Sequence, residues 1–133
     1  MSEMTPEQHL ILTKATMSIL DSWKLGVEDM RILMGLPEKT GARIFYKYRS
    51  HQPFPDEPEI NRRMDYVMKI AGALHTTYPT NPHMGSQWLR KKHRRFGRPP
   101  LALMLGGDMN DLILVLAQLD CTFGWDLSGS KAS

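Results

Sequence analysis

Six Lys/Arg side chains crowd into the nine residues 90–98, RKKHRRFGR, with no acid among them. Cations held this close repel one another until an anion joins them, so the chemistry offered is recognition of negative charge. The whole chain has 17 Lys/Arg and 14 Asp/Glu, a formal net charge of +3. Outside 90–98 the balance is 11 basic against 14 acidic residues, or −3, so one short segment makes the protein basic. Three readings suit it: a surface loop with no role, a phosphate contact, or part of a surface for a protein partner.

A second cluster lies upstream. Lys39, Thr40, Arg43 and Lys47 recur at spacings of three to four, beside Ile44, Phe45 and Tyr48. On a helix over 37–49 this gives an apolar side that anchors and a basic, hydrogen-bonding side that meets phosphates and base edges, the division a DNA recognition helix needs. Arg43 has the two-pronged donor that reads guanine, whereas Lys39, Lys47 and Arg49 suit phosphates. The same spacing also suits a plain solvated face.

Other chemistries lack their residues. His9, His51, His75, His83 and His93 are scattered with no ligand-spaced partner, so no metal site is expected. Gly106-Gly107 lacks the spacing and the Lys-Ser/Thr of a phosphate cradle and reads as a helix corner. Asp56, Glu57 and Glu59 alternate with prolines on a connector, and no Ser or Cys sits in a nucleophile elbow. The expectation is a non-enzyme without cofactors.

The elements that must position the two clusters are helices. Thr5-Pro6-Glu7-Gln8 is a capping box followed by a helix to about Leu20 or Trp23, with Leu12, Ala15, Ile19 and Trp23 as its core stripe. Val27 to Met34 makes a short second helix ended by Gly35, and Leu36-Pro37-Glu38 starts the third, a helix-turn-helix arrangement. Residues 53–58 hold three prolines and form a stiff connector. A fourth helix over 59–77 places Ile60, Met64, Val67, Met68, Ala71, Leu74 and Tyr78 on one face and Arg62, Asp65, Lys69, Gly72 and Thr76 on the other. Short helices follow at 85–92 and 101–105, then a last one capped by Asp108 that buries Leu112, Val115, Leu116 and Leu119. No segment alternates as a strand does, so the fold class is all-α.

At 133 residues the chain is one domain long, or two small subdomains. The expected division is a helix-turn-helix subdomain over 1–52, the connector 53–58, a second helical subdomain over 59–127 and a flexible tail, 128–133. No apolar run spans a bilayer, and the first residues do not form a signal peptide, so a cytoplasmic protein without membrane contact is expected. The lone Cys121 excludes an intrachain disulfide and suits a reducing compartment.

Two stretches resemble a known family. Residues 61–79 carry Arg63, Val67, Leu74, Tyr78 and Pro79, and residues 86–125 carry in order Trp88-Leu89, Phe96-Gly97, Pro100-Leu101, Gly107-Asp108, the apolar run 112–119 and Gly124-Trp125. No single pair is specific, but the ordered series is similar to the toxin-binding domain of the Xre/MbcA/ParS antitoxins. It departs from that pattern at Lys92-His93, where the family often has Pro-Asn, and in a turn one residue shorter.

The resemblance implies an antitoxin of a type II system that binds and inhibits a cognate RES-domain, NAD-consuming toxin and represses its own promoter DNA. It further implies a homodimer or higher toxin–antitoxin assembly. It places the toxin surface on Trp88, Arg94, Arg95, Phe96, Trp125 and Asp126, within a segment ending near Ser128, with the arginines facing a pocket built for a pyrophosphate. The alternative is a stand-alone helix-turn-helix transcription regulator whose C-terminal half dimerises.

Overall fold

The computed structural model describes residues 4–128, without the side chains of Pro82 and 121–128. Its order is α1 (Pro6–Ser22), α2 (Val27–Met34), α3 (Ala42–Tyr48), α4 (Pro58–Thr77), α5 (Pro82–Arg90), α6 (Pro100–Met104) and α7 (Met109–Ser128). No strand occurs among the described residues; a single antiparallel bridge joins His93 to Arg98. The protein is all-α. It divides into two compact units, Met1–Val67 and Met68–Ser133, and the division falls inside α4.

In the first unit α1 begins as expected. Thr5 Oγ1 accepts from the Gln8 N–H and Gln8 Oε1 from the Thr5 N–H, both at 3.0 Å, which satisfies two donors a helix start otherwise leaves open. Its buried face differs from the expected stripe. His9, Thr13, Thr16, Met17, Leu20 and Trp23 are buried, while Leu12, Ala15 and Ile19 are only half-covered. Two threonines pass for core residues because each hydroxyl donates to a carbonyl one turn back, Thr13 to His9 at 2.9 Å and Thr16 to Leu12 at 2.8 Å.

Thr13 Oγ1 also accepts from the Phe54 N–H at 3.0 Å. That bond fixes the proline-rich connector to α1 and seats Phe54, 1% exposed, edge-on against Tyr48 at 4.8 Å. Phe45 meets Tyr48 edge-on in turn at 5.8 Å, and such pairs contribute about 0.5–1.5 kcal/mol each beyond their burial.

The end of α2 is built around an arginine. Gly35 turns the chain with a φ of +67°, a conformation that suits glycine. Arg63, from α4, is 6% exposed; its Nη1 donates to the Leu33 carbonyl at 3.0 Å and its Nε to Glu59 Oε2 at 2.9 Å. The guanidinium thus lies where the α2 dipole is negative and its last carbonyls lack partners. A Cβ at position 35 would come within 3.0 Å of Arg63 Nε, so the turn and the arginine require the same glycine.

The expected apolar face of α4 is turned slightly. Ile60, Arg63, Met64, Val67, Ile70 and Leu74 are buried, Met68, Ala71 and Tyr78 are half-buried, and the five residues assigned to the opposite face are all exposed.

In the second unit α5 starts at Pro82, three residues before the expected Gly85. The Pro79–Pro82 stretch reads as a break, yet Asn81 Oδ1 accepts from the His83 N–H and Pro82 takes the first helical position, where its missing N–H costs nothing. Gly85 fits against Leu74, with room for a Cβ at an ordinary 3.4 Å from the Leu74 Cβ. Pro100 opens α6, and Asp108 Oδ1 accepts from the Asn110 N–H at the start of α7. Leu89, Leu101, Met104, Leu112, Val115 and Leu119 are buried in these helices.

Candidate functional site

Two surfaces carry the residues singled out by sequence, one in each unit. In the first, the helix expected over 37–49 is shorter. The Thr40 N–H donates to the Pro37 carbonyl at 2.9 Å, closing a turn, and Gly41 is extended (φ −114°) as the N-cap of a seven-residue α3. Lys39 and Thr40 therefore precede the helix. Thr40 is 6% exposed, which corrects its place on a DNA-facing surface: it is buried, as Leu36 is, in the turn before α3. Glycine at 41 disfavours continuing the helix backward, whereas it serves well as a cap.

On α3 itself Phe45 and Tyr48 are buried, Ile44 and Lys47 half-buried, and Arg43 and Tyr46 exposed. Arg49 follows the helix with its guanidinium already engaged: Nε and Nη2 each donate to an Asp21 carboxylate oxygen at 2.8 Å. This two-pronged pair ties α3 to the end of α1, and its hydrogen bonds hold the arginine above its ordinary pKa. Of the five residues expected to meet DNA, Lys39, Arg43 and Lys47 remain available. Tyr46, not singled out by sequence, is 70% exposed on the same helix.

In the second unit the basic run is a tight hairpin between α5 and α6. The His93 N–H donates to the Arg98 carbonyl at 3.1 Å and the Gly97 N–H to the His93 carbonyl at 2.9 Å. The Arg95 N–H donates to His93 Nδ1 at 3.1 Å. Gly97 takes a φ of +73°, the left-handed step the turn needs.

The His93 ring is the hub. It lies edge-on to Trp88 at 5.6 Å and tilted against Phe96 at 4.8 Å, so three half-buried rings from α5 and the turn pack beside the basic side chains. Lys91, Lys92, Arg94, Arg95 and Arg98 are exposed, and none of them forms an ion pair with a described residue. Trp88 and Phe96 thus shape the hairpin, while Arg94 and Arg95 form its tip. The side chains of Trp125 and Asp126 and the tail beyond residue 128 lie outside the described residues.

A separate shallow groove of about 300 Å³ is lined by Lys69, Ala73, Thr76, Leu116 and Asp120, none of them an expected site residue. Among the described residues no cluster of three His, Cys, Asp or Glu is placed to hold a metal, and no helix is long and apolar enough to cross a membrane. No family model matches the chain, and no curated protein matches it.

Proposed function

We infer that the protein is an antitoxin-type regulator: its second unit binds and blocks a RES-domain, NAD-consuming toxin, and its first unit binds the promoter of the same operon through α3. The hairpin is the observation that carries this reading. Five exposed cations, none of them ion-paired with a described residue, lie on and beside a turn packed against Trp88, His93 and Phe96, inside the segment whose ordered motifs resemble the Xre/MbcA/ParS toxin-binding domain. A cluster of positive charge is complementary to a negatively charged partner surface, and a protein that covers an enzyme's pocket silences it without chemistry of its own. Arg43, Lys47 and Lys39, on and before α3, supply the corresponding cations for DNA.

Co-expression with a RES-domain protein encoded beside it tests the reading. Growth is restored and the two chains co-purify if it is right. A chain that shifts its own upstream DNA yet neither rescues growth nor co-purifies is instead the stand-alone transcription regulator.

A further inference from the structure

The geometry of α3 leaves one residue unaccounted for. Phe45 and Tyr48 fill the core, Ile44 is half-covered, Arg49 is held by Asp21 and Thr40 is buried. Tyr46 is needed by none of this. It presents 70% of its surface to solvent, one turn after Arg43 and next to Lys47. Its backbone carbonyl accepts from Ser50 Oγ at 3.2 Å, and among the described residues its ring makes no aromatic pair and its hydroxyl no hydrogen bond. A tyrosine offers a rigid apolar plate and a polar tip at small cost in side-chain freedom, which makes it an effective contact group on a surface that binds something.

We propose that Tyr46 is the base-contacting residue of the α3 surface, its ring packing on a thymine methyl in the DNA major groove while Arg43, Lys47 and Lys39 engage phosphates and base edges. The assignment rests on the DNA-binding reading of α3. Cations on either side of the ring bring it to a polyanion, and of the base edges in the major groove only thymine presents a methyl group to an apolar side chain. Arg43 alone reads guanine. Tyr46 adds discrimination at A·T pairs, so the short helix reads both kinds of pair.

The test uses the full chain and its native upstream DNA, with binding measured by fluorescence anisotropy at fixed salt. Each thymine in the protected site is replaced in turn by deoxyuridine, which removes one methyl and nothing else. Wild-type affinity should fall about fourfold at one or two positions, the scale of one buried methyl group. Y46A should bind the unmodified site more weakly by a similar factor and be indifferent to deoxyuridine there, and Y46F should keep the sensitivity. Circular dichroism of Y46A should match wild type, since the side chain is exposed.

Wild type and Y46A that bind equally and respond equally to deoxyuridine overturn the assignment while leaving DNA binding intact. A wild-type chain that does not bind its upstream DNA removes the underlying reading with it. Y46A that binds DNA normally but loses co-purification with the toxin shows Tyr46 to be a protein contact, which also overturns the proposal.

Discussion

Single residues carry constraints that composition hides. Gly35 answers two at once, a positive φ and the close approach of Arg63. Gly35→Ala should destabilise the protein by about 1–3 kcal/mol, combining the left-handed penalty with displacement of the arginine, and urea unfolding measures it; a loss below about 0.5 kcal/mol would mean the arginine gives way freely. Thr13 is comparable: Thr13→Val keeps the shape but strands the buried Phe54 N–H, for about 1–3 kcal/mol. Tyr48 adds a dependence on pH. Burial raises its phenol above the ordinary 10.0, so the folded state keeps the proton that the unfolded chain releases first. Its contribution is therefore whole below pH 10 and is lost as the pH rises through the folded value. Tyr48→Phe should flatten that alkaline loss, seen as a smaller fall in the urea midpoint between pH 9 and 11 than in wild type.

At the scale of elements, the hairpin and α3 behave as supports for charge. Arg94→Glu with Arg95→Glu should weaken toxin inhibition by several-fold to about a thousandfold, depending on how far the tip is buried in the complex, with little effect on DNA affinity. The opposite pattern, normal inhibition with weaker DNA binding, would make the hairpin a phosphate contact. Most helices were legible from periodicity and caps: Thr5, Gly35 and Asp108 mark ends that the structure reproduces. What sequence could not give depended on partners distant in the chain. Thr13 counts as polar until Phe54 is placed beside it, and Arg63 stands in a motif whose burial is unexplained until the end of α2 meets it. The basic run was visible as charge, but the backbone bonds between His93 and Arg98 that close it into a hairpin were not. The start of α3 was misplaced because Pro37 suits a helix start, while the inward turn of Thr40 is decided by the core.

For the whole molecule, the two surfaces lie in different compact units and should fail independently. Arg43→Glu with Lys47→Glu is expected to abolish the promoter shift and leave toxin inhibition intact. Wild-type DNA affinity should drop steeply between low and physiological salt, as it does whenever several phosphates are neutralised. Loss of toxin inhibition in that variant would show that the functions share a surface. The seven residues of α3 set a further limit, best expressed as information. At 1.5 Å per residue the helix is about 10 Å long, roughly the rise of three base pairs. Three fully specified pairs hold about six bits, whereas singling out one site among the million or more in a genome takes about twenty. If α3 is the element that reads DNA, three base pairs recur about every 64 positions, and a unique address would call for several copies on one operator.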